Sequence, residues 1–229
     1  MKRRHCIGLA VALGAAFAAE AAGQSIPSPY RFIETSQRAG VTGGYVFASE
    51  GALGLGPQSA LYLGGRYSIR ISGPFTVEGE VGYMPTTRMV WDTVPGDTTR
   101  EVIGEADMSI ALASGALRFN ITGPRTWHGL QPFLILGGGV AIDLAGEAQD
   151  EATLPDPVRF DFGTSFAGHI GGGIEWLLSP GWSLRVDARN TLWKLETPEA
   201  FYATDREFLI PTDEWAQNFV LSAGLAIHF

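Results

Sequence analysis

The chain ends in Asn218-Phe219-Val220-Leu221-Ser222-Ala223-Gly224-Leu225-Ala226-Ile227-His228-Phe229, and this stretch decides the fold. Phe219, Leu221, Ala223, Leu225, Ile227 and Phe229 share one parity, while Asn218, Ser222, Gly224, Ala226 and His228 share the other. A period of two belongs to a β-strand, whose successive side chains leave opposite faces, and here it lays an unbroken apolar row along one face.

Working outward, the split recurs. Leu61, Leu63, Tyr67, Ile69 and Ile71 oppose Arg66, Ser68 and Arg70; Phe75, Val77, Val81 and Tyr83 oppose Glu78 and Glu80. Phe160, Phe162, Phe166, Ile170, Ile174 and Trp176 oppose Asp161, Ser165, His169 and Glu175; Trp182, Leu184 and Val186 oppose Ser183, Arg185, Asp187 and Arg189. Strands are read near 39–48, 60–71, 74–84, 107–121, 131–142, 161–178, 181–194 and 217–229. The fourth changes phase between Leu112 and Leu117, which predicts a bulge at Ala113 to Ala116. The fifth, through Phe133-Leu134-Ile135-Leu136, is apolar on both faces, and its phase stays open.

Proline lacks the N–H that a strand ladder needs. Of the 13 prolines, Pro132 falls at the entrance of a predicted strand and Pro74 at the turn that opens another; the others, Pro85 included, fall in the tail or in connections. The connections alternate in length. Ser72-Gly73-Pro74, 122–130 and Ser179-Pro180-Gly181 are short, whereas 49–59, 85–106, 143–160 and 195–216 are long.

Composition narrows the class. With 229 residues, 45% hydrophobic, 17% charged and 30 Gly, the chain reads as one all-β domain. Its 16 basic and 24 acidic residues give a net charge of −8, which argues against nucleic acid as a partner, since phosphate binding calls for a basic face. At the start, Lys2, Arg3 and Arg4 precede an apolar run from Cys6 to Ala19, followed by Ala19-Glu20-Ala21. This pattern reads as a cleaved secretory signal over residues 1–22, because the run is shorter than the ~20 residues needed to cross a bilayer. Residues 23–38 read as a periplasmic lead-in and 39–229 as the barrel. The lone Cys6 lies at the start of the apolar run, so no disulfide and no acyl anchor is expected after cleavage.

Parity chooses between a soluble and a membrane barrel. The polar face carries Arg66, Arg70, Arg118, Arg185 and Arg189 with Glu78, Glu80, Asp161, Glu175 and Asp187, which sum to zero. Such charges do not suit the apolar interior of a soluble ligand-binding barrel, so the apolar face meets lipid and the charged face lines the lumen. The expectation is an eight-stranded antiparallel transmembrane β-barrel, with turns on the periplasmic side, long acidic loops outside, and Trp127, Trp176, Trp182 and Phe229 in interfacial girdles.

Ser222-x-Gly224-x-x-Ile227-x-Phe229, with its aromatic carboxyl terminus, resembles the assembly signal of bacterial outer-membrane barrels. Joined to the signal, loop rhythm and parity, it makes the mature chain resemble the small outer-membrane β-barrel family of OmpA-type and OmpX-type proteins. The resemblance implies a Gram-negative outer-membrane location, with barrel assembly machinery, membrane lipid and lipopolysaccharide as partners. It does not extend to a peptidoglycan-binding domain.

The chemistry is sparse. Ser165, His169 and Glu175 share a face, but His169 lies about 13 Å from Ser165 and about 20 Å from Glu175 along a strand, too far for a triad. The serine that lipid A deacylase barrels place two residues after their histidine is Gly171. The acidic loops lack the DxDxDG spacing of a calcium loop, and the Gly137-Gly138-Gly139 and Gly171-Gly172-Gly173 runs are not followed by a phosphate-binding lysine. The expectation is no enzyme, no cofactor and no metal: a charge-plugged barrel with a structural or surface-interaction role, the alternatives being a narrow porin-like pore for ions or small polar solutes and a lipid A-modifying enzyme.

Overall fold

A computed structural model describes residues 28–93, 100–145, 154–202 and 212–229. The expected signal lies outside them. Among the described residues ten strands form one antiparallel sheet: β1 Tyr30–Phe32, β2 Gln37–Phe47, β3 Ala60–Ser72, β4 Phe75–Thr93, β5 Arg100–Asn120, β6 Arg125–Trp127, β7 Leu130–Asp143, β8 Thr164–Ser179, β9 Trp182–Glu196 and β10 Asp213–His228. Eight of them close a barrel. Each pairs with the next along the chain, β7 pairs with β8, and β10 returns to β2 from Phe219↔Phe47 to His228↔Arg38.

Short turns gather at one end. Ser72↔Phe75 and Ser179↔Trp182 close two-residue hairpins around Gly73-Pro74 and Pro180-Gly181. Trp127↔Leu130 closes a third around His128 and Gly129, both at positive φ (51° and 84°), the backbone of a twisted hairpin turn. The third short connection thus carries its own strand, β6, and β6 pairs with β1 of the lead-in. Because β6 belongs to the connection from β5 to β7, and these two strands lie across the barrel from β2, residues 33–36 must cross the short-turn mouth. Ile33 is buried there, its N–H bonded to the Pro124 carbonyl.

Several expectations need correction. β4 and β5 run far beyond 84 and 107, so most of the expected loop 85–106 is a protruding two-stranded hairpin with a register shift at Val90/Trp91. Pro85 therefore lies inside a strand. It is accommodated because the β3 ladder ends at Tyr83, which leaves β4 with a partner on one side only. No bulge occurs at Ala113 to Ala116: the register with β4 is continuous, and Ile110, Leu112, Ser114, Ala116 and Arg118 keep one inward parity. The apparent phase change is a change in what fills the lumen, apolar toward the long loops and polar toward the short turns. Phe160 and Phe162 precede β8 and are buried in the barrel mouth, not turned to lipid. On β7, Phe133 and Ile135 point inward and Leu134 and Leu136 outward.

The outer surface carries the apolar rows. Val41, Leu61, Leu63, Val81, Leu136, Ile170, Val186, Leu221 and Leu225 are all exposed. Phe219 on β10 and Phe229, one residue past its end, are ten residues apart, roughly 33 Å along a strand, or about 25 Å along the normal at a tilt near 40°, the height of a barrel's apolar band. Tyr45, Phe47 and Phe219 ring its long-loop edge, and Tyr67, Phe75, Phe119 and Phe229 its short-turn edge.

Candidate functional site: the filled lumen

The inward face of the lower barrel holds an interlocked ionic cluster. Alternation puts Glu78 and Glu80 two residues apart on β4, and Arg185, Asp187 and Arg189 likewise on β9, on the face that cannot reach lipid. Glu78 accepts hydrogen bonds from Arg185 Nη1 (2.7 and 2.9 Å) and lies 3.3 Å from Arg118 Nη1. Glu80 accepts from Arg66 Nε (2.7 Å), from both terminal nitrogens of Arg189 (2.9 and 3.2 Å), and from the Tyr62 hydroxyl. Asp187 lies 2.9 Å from Arg185 Nε and 2.9 Å from Arg189 Nε. Glu175 pairs with Arg38 and with Arg118 Nη2 (2.6 Å), and accepts from Ser183 Oγ (2.6 Å). The Arg118 and Arg185 guanidiniums both lie over the Phe133 ring, 4.0 and 4.2 Å from its centroid.

Neutral polar groups complete the shell. Asn120 accepts from Arg118 Nε (2.7 Å) and donates to Thr76 and to the Pro74 carbonyl; Gln131 accepts from Arg118 and Arg38 and donates to the Gly123 carbonyl. The His228 ring lies between Ser183 Oγ (2.7 Å) and Thr35 Oγ1 (3.3 Å), joining the cluster to the lead-in. Tyr62 reaches Glu80 only because its neighbours are glycines: a Cβ on Gly82 would stand 2.2 Å from its ring, and one on Gly64 would stand 2.8 Å from its hydroxyl.

Of the ten charged residues expected to line the lumen, the structure joins Arg66, Glu78, Glu80, Arg118, Glu175, Arg185, Asp187 and Arg189. Two lie elsewhere. Asp161 is exposed in the segment before β8, where its carboxylate accepts the Gly163 N–H, because β8 starts at Thr164 and not at 161. Arg70 sits at the lower rim and donates to the Ile33 and Glu34 carbonyls, holding the crossing segment instead of an acid. Arg38, assigned by sequence to the lead-in, belongs to the cluster because β2 starts at Gln37. Its alternation with Gly40, Thr42 and Gly44 was the available signal.

Toward the long loops the lumen turns apolar. Val46, Met84, Met108, Ile110, Ala141, Trp193 and Val220 point inward from the strands, and Phe160, Phe162, Leu154 and Phe201 fold in from the segments above. Phe201 lies on a short helix, α1, Glu199–Tyr202. Between the two storeys is a cavity of about 40 Å³ lined by Tyr62, Glu80, His169, Arg189 and Trp193 among others. His169 is buried there with an unpartnered Nε2, while Ser165 Oγ, four residues up the strand, donates to the Lys194 carbonyl and Glu175 is engaged by arginines. Ser165, His169 and Glu175 are therefore not assembled as a triad. The described residues hold no cluster of three or more metal-ligating side chains.

The aromatic end of the assembly motif is at the closing seam. Phe229 exchanges backbone hydrogen bonds with Gln37 (3.1 and 3.2 Å), and its exposed ring neighbours Tyr67. Ser222 and Gly224 face the lumen and Ile227 faces out.

A closed antiparallel barrel with an apolar belt outside and charges inside is a transmembrane β-barrel. A solved structure agrees on the fold. The chain is similar to Neisserial surface protein A, with a TM-score of 0.52, 13% identity, and 88% of this chain and 98% of that one covered. Similarity to the outer membrane protein OprG from Pseudomonas aeruginosa gives a TM-score of 0.49, 14% identity, and coverage of 85% and 97%. The architecture is that of the small eight-stranded outer-membrane barrels. No family model and no curated protein matches the sequence.

Proposed function

We propose that the protein is an outer-membrane barrel closed to solutes, with a structural or surface-interaction role carried by its outer hairpin and acidic loops. One observation carries this: the lumen is filled at three heights, by the crossing segment around Ile33, by the ionic cluster, and by the apolar storey under Phe160 and Phe162. An eight-stranded barrel leaves an interior just wide enough for side chains to fill, which supports the closed reading. The outer-membrane setting is supported by the apolar belt and by the expected signal and terminal motif. Barrel assembly machinery, membrane lipid and lipopolysaccharide are the matching partners. At the long-loop end the β4–β5 hairpin displays Glu101, Val102 and Ile103, and Asp156, Asp161 and Glu199 are also exposed, a surface suited to contact with other macromolecules. Purified full-length protein in a planar bilayer is the test. A silent membrane is expected, and steady single-channel current from the wild type would replace this reading with a pore.

A further inference from the structure

The ionic cluster is not neutral. Arg38, Arg66, Arg118, Arg185 and Arg189 meet only Glu78, Glu80, Glu175 and Asp187, so five guanidiniums face four carboxylates. Asp161, the fifth acid expected from the sequence, is exposed before β8. His228 supplies no negative charge. An uncompensated charge in a confined lumen is costly, so it calls for a counter-ion.

The excess is concentrated beside a second cavity of about 30 Å³, lined by Arg38, Arg66, Arg118, Arg185, Glu175 and Ser68 among others. Four guanidiniums and one carboxylate line it, the other carboxylates of the cluster lying outside the lining. The space exists because the β2–β10 seam contributes Gly40 and Gly224 on its inward face, and a Cβ on Gly40 would collide with the Leu225 carbonyl at 2.4 Å. Arg185, which lines this cavity and is 5% exposed, has a buried Nη2 with no hydrogen-bond partner. Arg66 Nη2 and Arg189 Nε also lack well-aligned hydrogen bonds, but each lies within ion-pair distance of a carboxylate.

We propose that this cavity binds one small monovalent anion of chloride size, which neutralises the cluster and accepts from Arg185 Nη2. The inference rests on the sealed-lumen reading, since a wet pore would hydrate each charge separately. Water alone fits the cavity, which exceeds the roughly 10–15 Å³ a single molecule needs, but water leaves the charge in place.

The test uses the full chain folded in detergent at constant ionic strength, with chloride exchanged for gluconate, which is too large to enter. Replacing gluconate by chloride or bromide should raise the unfolding temperature saturably, as for any ligand bound only by the folded state. Ser68→Asp, which supplies a fixed carboxylate at the cavity, should abolish that dependence. Crystals grown in bromide should show an anomalous peak within hydrogen-bond distance of Arg185 Nη2, a readout that stands even if Ser68→Asp does not fold. Equal unfolding in both salts with no bromide peak overturns the anion site, as does full halide dependence in Ser68→Asp. Wild-type current in a bilayer overturns the sealed lumen and the site with it, whereas a silent, halide-indifferent barrel overturns the site alone.

Discussion

Glu80→Gln asks whether the lumen charges act as one buried assembly. Glutamine keeps the volume of glutamate, so the change leaves no cavity and its cost is electrostatic. In the wild type, Glu80 sits between Arg66 at 2.6–2.7 Å and Arg189 at 2.9 Å, with its side chain 7% exposed. After substitution Arg189 keeps Asp187 at 2.9 Å, but Arg66 is left with Asp187 at 3.6 Å. Removing one partner of a buried pair costs about 3–5 kcal/mol, and since Arg189 retains a carboxylate the lower end applies, about 3 kcal/mol. Adding Arg66→Met removes the stranded charge, so the double variant should be more stable than Glu80→Gln alone, with a coupling energy of about 2 kcal/mol. Reversible urea unfolding of the barrel in lipid vesicles measures both quantities. A cost below about 1 kcal/mol for Glu80→Gln, with strict additivity in the double variant, would mean separately hydrated charges and would refute the buried assembly.

Three further outcomes are expected. Leu225→Arg, one residue past the midpoint between Phe219 and Phe229, should destabilise by about 2–4 kcal/mol, whereas Ala226→Glu places a carboxylate against the arginine-rich cavity and should cost less; equal losses in urea unfolding would contradict the facing of β10. Tyr62→Phe removes a hydrogen bond to an ionised group and should cost about 1.5–3 kcal/mol, and Gly82→Ala, whose Cβ would enter the Tyr62 ring, should cost at least as much by the same assay. Deleting Phe229 removes both backbone bonds to Gln37 and opens the seam where β10 meets β2, so the chain should be secreted yet recovered poorly from outer-membrane fractions; normal recovery would count against the terminal motif as an assembly signal.

What could be read from sequence follows from which physical signal was one-dimensional. Lipid forces every exposed position of a strand to be apolar, so Leu221, Leu225 and Ile227 declared their face by parity alone. The lumen imposes no such uniformity. Leu112 and Arg118 point into the same interior at different heights, and parity reading mistook that change of filling for a bulge. Boundaries were the second weakness. Asp161 sits three residues before the true start of β8 and Arg38 one residue after the true start of β2; each misassignment moved a charge into or out of the cluster. The crossing of residues 33–36 was not legible at all, because it depends on β1 pairing with β6, a contact between segments nearly a hundred residues apart that carry no shared pattern.

Those errors bear on how the barrel is closed. The expected neutral plug would have rested on paired charges alone, and buried pairs are weak evidence for stability, since desolvation offsets much of their attraction. The structure divides the task. Apolar burial under Phe160, Phe162 and Trp193 supplies a stabilisation that asks for no particular geometry, while the ionic cluster below it fixes which side chains meet and so favours one arrangement of the interior. At the base, Arg70 and His228 tie the crossing segment to the barrel through the Ile33 and Glu34 carbonyls and Thr35. On the proposed closed-lumen reading, opening a path through the barrel would require displacing three layers held by different forces. The loss of one ion pair should therefore weaken the fold well before it admits a solute, which is why stability and current separate a plug from a pore.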